Sequence, residues 1–148
     1  MAIIIPMLLA VAAGLLFATT AFAQSATEAR TPSPLVAIGN EPAPKLIVEP
    51  PLPGPLARGA VLIPFRAENL RILPVLGAAA RTLSPRVGHV HVTVDDLPWR
   101  WAHFDDTNTI VVNGLPPGQH KVLIELADPE HRVITGQTVT FTVPGPAK

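Results

Sequence analysis

The sequence predicts an all-β domain: an antiparallel immunoglobulin-like β-sandwich of six to eight short strands, behind a signal peptide and a Pro-rich linker. Three observations carry this. Apolar and polar residues alternate with a period of two in several runs between residues 87 and 143. Turn-forming clusters rich in Gly, Pro, Asn and Asp separate the runs. No amphipathic helix of useful length is visible, and no repeat at a fixed period.

The N-terminus reads as an export address. Residues Ala2–Phe22 are apolar apart from Pro6, Gly14, Thr19 and Thr20, and Ala21-Phe22-Ala23-Gln24 is a small-x-small pattern that suits cleavage after Ala23. The n-region departs from the usual pattern, because it has no Lys or Arg. Retained, the same stretch is long enough to anchor the chain in a membrane. Both readings place the rest of the chain in the periplasm or outside the cell.

Residues 24–44 are expected to be a linker. Eight prolines fall between Thr31 and Pro55, a density that favours extended polyproline II backbone and excludes a helix. The sandwich is expected over 45–144, with a short tail at 145–148.

Lys45-Leu46-Ile47-Val48-Glu49 is the first strand, at a sheet edge. Gly59–Arg66 follows, with Pro64 marking an edge or bulge. Leu70–Leu76 is apolar around Pro74, and Ala78-Ala79-Ala80 suits a short helical turn. Val87–Asp95 alternates cleanly, with Val90, Val92 and Val94 on one face and His89, His91, Thr93 and Asp95 on the other. Leu97–Thr107 reads as a loop and Thr107–Asn113 as a strand. The turn Asn113–Gly118 leads into Gln119–Ala127, where Val122, Ile124 and Leu126 share a face. Asp128-Pro129-Glu130-His131 is a turn, and Thr138–Val143 places Val139, Phe141 and Val143 inward. These apolar faces, with Val61, Ile63, Phe65, Ile72, Ile110 and Val112, are the expected core.

Composition narrows function. Eleven basic and eleven acidic residues leave no net charge, which excludes a broad electrostatic grip on nucleic acid. The absence of Cys excludes disulfides, thiolate metal sites and cysteine nucleophiles. There is no phosphate-cradling Gly-rich loop, no nucleophile elbow and no His-Glu-x-x-His. Nothing points to a familiar enzyme.

All five histidines lie between residues 89 and 131. His89 and His91 share one strand face, with Cβ atoms about 6–7 Å apart, and can lean onto one ion. His103 lies in the loop after Trp99 and Trp101, and His120 opens a strand. These four are the candidate metal ligands, His89 and His91 with one of His103 or His120. Asp95 and Asp96 are the candidate outer-sphere carboxylates. His131 reads as a surface turn residue. Imidazoles without thiolate suit Cu(II) or Zn(II). Trp99 and Trp101 are candidates for stacking a ligand or anchoring a partner, and also for capping the core.

The pattern Gly88-His89-Val90-His91-Val92-Thr93-Val94-Asp95, then Leu115-Pro116-Pro117-Gly118-Gln119-His120, then Asp128 through His131, and a Thr-rich final strand over Thr138–Val143, resembles uncharacterised bacterial exported β-sandwich families of unknown function. The resemblance covers about 100 residues and implies a sandwich with its histidines in the family pattern. The Gly-His-x-His strand is also similar to the copper strand of copper–zinc superoxide dismutase. The zinc-loop histidines and disulfide cysteines of that enzyme are not recognisable here, so no activity is carried over.

The expectation is therefore a periplasmic or secreted, non-catalytic binding or accessory module with a His-lined divalent metal site. The alternative is a structural or protein-interaction sandwich whose histidines and tryptophans only complete the fold, and the last branch is an enzyme using His89, His91 and Asp95 in general acid/base or metal-assisted chemistry.

Overall fold

The computed structural model describes residues 36–37 and 39–145. The expected signal peptide, most of the linker before residue 39 and the last three residues lie outside these. Among the described residues no helix is long and apolar enough to cross a membrane.

The domain is all-β and sandwich-like. Its larger sheet centres on β6 (Val87–Val94) and holds β4 (Arg71–Ile72), β7 (Trp101–His103), β9 (Gly118–Ala127) and β10 (Val133–Val143). β9 lies along one side of β6, antiparallel, with His89 opposite Ala127 and His91 opposite Glu125. β4 and β7 bond to β6 as well, β4 over Val87–Gly88 and β7 over Val90–Val92. β10 folds back on β9 as a long hairpin. The second sheet has the order β2 (Lys45–Val48), β3 (Val61–Glu68), β8 (Thr109–Val112). A two-stranded ribbon pairs β1 (Val36–Ala37) with β5 (Leu83–Ser84).

The core lies between the two larger sheets. Val61, Ile63, Val90, Val92, Ile110, Val122, Ile124 and Leu126 are fully shielded from solvent. β-branched residues dominate these strands because they pack well on a pleated, buried surface. Leu46 and Leu70 join the core, whereas Val139 is only half-buried against it. The Gln137 side chain ties the sheets together, accepting from the Val48 N–H at 3.1 Å and donating to the Leu46 carbonyl at 3.2 Å.

Two expectations need correction. Pro53–Leu56 forms a single helical turn, α1, inside the proline-rich stretch. Prolines are tolerated there because first-turn N–H groups have no intrahelical partner to lose. The stretch Leu97–Thr107 is not all loop, since its middle pairs with β6 as β7. Among the described residues seven strands of three or more residues match the expected six to eight, and β1, β4 and β5 are further two-residue pairings too short to read from periodicity, the β4–β6 pair being parallel. The alanine run does form a short 3-10 turn, over Ala78–Thr82.

Candidate metal centre

β6 is buried on both faces, which is why it can carry polar groups out of water. Its valines point into the core, while His89 and His91 point to the outer face of the larger sheet. Both are nevertheless shielded, at 0% and 3% exposure. Register explains the cover. β7 places His103 opposite Val90 and Ala102 opposite His91. Arg100 and Phe104, two residues either side of Ala102, therefore share the face of His91. Phe104 stacks at a tilt on His89, with ring centroids 4.8 Å apart.

A third imidazole arrives from the β9–β10 turn. His131 donates its N–H to the Asp128 carbonyl at 3.0 Å and holds a left-handed backbone with φ 64°. Asp128 organises the turn. Its Oδ1 accepts from the N–H groups of Glu130 at 2.8 Å and Arg132 at 3.0 Å. Its Oδ2 accepts from Arg132 Nε at 2.9 Å and lies 3.2 Å from Arg81 Nε. Because Ala127 is registered opposite His89, this turn opens beside the histidine end of β6.

The three rings converge. His89 Nε2 lies 2.9 Å from His91 Nε2 and 2.9 Å from His131 Nδ1, and the last pair is 3.2 Å apart. Three imidazole lone pairs aimed at one point repel unless protons or a cation lie between them. An ion at the usual 2.0–2.1 Å from each nitrogen fits about 1 Å above their plane, with bond angles of about 90–100°. His91 and His131 stack nearly parallel at 8°. Among the described residues the Nδ1 atoms of His89 and His91 are buried without a hydrogen-bond partner, so packing against Phe104 and His131 orients these rings.

Electrostatics hold the buried pair neutral. Burial first, and then the Arg100 guanidinium and the neighbouring imidazoles, push His91 down to about 4. Burial, followed by His131 and Arg100, lowers His89 as well, against a smaller opposing pull from Asp128. Neutral imidazole is the ligating form. His89, His91 and His131 are a group whose ligand atoms all lie within 4.8 Å of one another, suited to a metal ion.

The sequence of the whole chain, residues 1–148, matches one family model. The chain belongs to the family of unknown function DUF6130. No curated protein and no solved structure matches it.

The other candidate residues of this DUF6130 chain lie elsewhere. His120 does not meet His89 and His91. It lies at the opposite end of the β6–β9 ladder and on the core side, buried with Phe141 beside it. Its Nδ1 donates to Asp95 Oδ2 at 2.7 Å and its Nε2 to the Pro116 carbonyl at 2.8 Å. Both partners are acceptors, so the ring donates from both nitrogens as an imidazolium and has no lone pair for a metal. The Asp95 hydrogen bond, and then the Pro116 carbonyl, raise its pKa accordingly.

Asp95 and Asp96 serve that end of the sheet. Asp95 also accepts the Lys121 N–H at 2.9 Å, and Asp96 pairs with the Lys121 ammonium. His103 faces inward, edge-on to Phe65, with Nε2 3.2 Å from Asp105 Oδ1. Trp101 packs against the core, whereas Trp99 is 57% exposed, its ring 6.1 Å from that of Trp101.

His131 is the ligand candidate that sequence reasoning did not assemble with the pair. The signal was present in the strand parity. His120 shares the even-numbered face of Val122, Ile124 and Leu126, which faces the core. Antiparallel pairing of the two strands puts the far end of Gln119–Ala127, and so the His131 turn, beside His89.

Proposed function

We propose that this domain is a binding module that holds one divalent transition-metal ion, Zn(II) or Cu(II), on His89, His91 and His131. A single observation carries the reading: three imidazole nitrogens from two separate elements converge to within 3.2 Å, two of them on buried rings. An all-nitrogen donor set without thiolate favours these borderline ions over Mg(II) or Ca(II), which prefer oxygen. The apolar stretch Ala2–Phe22 and the Ala21-Phe22-Ala23-Gln24 pattern support export, so the module acts in the periplasm or outside the cell. The role is acquisition, storage or delivery of the ion rather than turnover.

Equilibrium dialysis against Zn(II) or Cu(II), followed by metal analysis, tests the reading. One ion per chain is expected, and none in the His89→Ala/His91→Ala double variant with its circular dichroism unchanged. Equal metal in both proteins overturns it.

A further inference from the structure

We propose that the ion held by His89, His91 and His131 takes a small anion as an exchangeable fourth ligand, and that the Arg100 guanidinium is the anion's second partner. This rests on the metal reading above and specifies what else the same site binds.

Among the described residues, the convergent group contains three histidines and no carboxylate. Tetrahedral sites with three protein ligands keep their fourth position for solvent or another molecule. His131 is the exposed member of the trio, so the ion's solvent side lies where an outside ligand can reach it.

Three neutral imidazoles leave the ion its full double charge. The acidic groups nearby already have cationic partners: Glu125 pairs with Arg100, and Asp128 and Glu130 pair with Arg81 and Arg132. Among the described residues, no carboxylate joins the convergent group to neutralise a bound cation. An anionic fourth ligand does so, its direct contact with the ion offsetting the desolvation of both charges.

Glu125 lies opposite His91 on β9, and Arg100 approaches from the β7 side. The Arg100 Nη1 to Glu125 Oε2 contact of 3.2 Å therefore spans β6 next to His91. Glu125 is the one hydrogen-bond partner of this guanidinium among the described residues. Its remaining N–H groups are free to hold an anion that also touches the ion, and half-exposure of the side chain keeps them accessible. The class of ligand is a compact anion with one donor atom on the metal and another facing the guanidinium, such as a small carboxylate or a pseudohalide.

Co(II)-loaded protein reports the fourth ligand through its visible absorption, and azide is the probe. Azide is expected to change the spectrum saturably. Arg100→Ala is expected to weaken azide binding about tenfold, equivalent to about 1.4 kcal/mol, with Co(II) affinity retained. Glu125→Gln, which releases the guanidinium, is expected to tighten azide binding. A Co(II) spectrum that azide does not move, or equal azide affinity in wild type and Arg100→Ala, overturns the inference and leaves the metal site standing. If neither Co(II) nor Zn(II) binds, the metal reading falls and takes this inference with it.

Discussion

His89 Nε2 lies 2.9 Å from His131 Nδ1 across forty-two residues of sequence. Two facts of the fold create that contact: β9 runs antiparallel beside β6, and the turn after β9 is closed by Asp128. The first puts the turn near His89. The second turns the His131 ring toward it.

Asp128 thus positions His131, the proposed third ligand, and does not itself join the convergent group. Asp128→Ala is expected to loosen the turn and lower Zn(II) affinity about 10- to 100-fold, the usual effect of losing an outer-sphere support. Competition against a chromophoric chelator measures it. An unchanged affinity would show that the turn holds its shape without the carboxylate.

The His120–Asp95 pair gives the fold a pH dependence independent of the metal centre. The Asp95 hydrogen bond raises His120 above its ordinary value. That contribution is complete below about 6.5, the unfolded value, and is lost as pH rises through the folded value. The Lys121 N–H first, then His120, lower Asp95. Its contribution is complete above about 3.9 and is lost as pH falls through its folded value. The stability margin of wild type over Asp95→Asn is therefore expected to peak between these limits and shrink on both sides. Thermal melts of both proteins across pH 3–9 follow it, and a margin independent of pH would contradict the charged pairing.

Gly88 occupies a crowded point between β4, β6 and β9. A Cβ there would run into the Ala127 carbonyl oxygen and press on the Leu70 methyl groups at 3.1–3.2 Å. Gly88→Ala is expected to cost about 1–3 kcal/mol and to shift the backbone that carries His89. Urea unfolding reads the first effect and Zn(II) affinity the second. A fully stable variant would mean that β6 and β9 can separate there without penalty.

Ile124 is fully buried at the centre of β9. Ile124→Ala is expected to destabilise the domain by about 2–5 kcal/mol, through lost burial and the cavity left behind. The matching change at exposed Val111, Val111→Ala, is expected to cost well under half as much. Equal denaturant midpoints for the two variants would place the core elsewhere.

Much of the fold was legible because its central strands obey the period of two. Val90, Val92 and Val94 alternate with polar neighbours, and each lies in the core where parity puts it. β7 escaped because Trp101–His103 is three residues long, set among Asp and Pro residues that read as loop. α1 escaped because proline tolerance in a first turn depends on which N–H groups need partners, not on composition. In the site, His89 and His91 were visible as a same-face pair. His131 was not, because its approach depends on which strand neighbours β6, a pairing between distant segments. His120 and His103 were drawn in by sequence proximity, although parity places His120 on the core face.

The most direct test of the account is calorimetric titration of Zn(II) into untagged, metal-free protein, with His131→Ala and His120→Ala beside wild type. The account predicts one-to-one binding at micromolar affinity or tighter in wild type, at least about tenfold weaker in His131→Ala, about 1.4 kcal/mol or more, and unchanged in His120→Ala. Binding that survives His131→Ala intact, or that disappears in a folded His120→Ala, would contradict it.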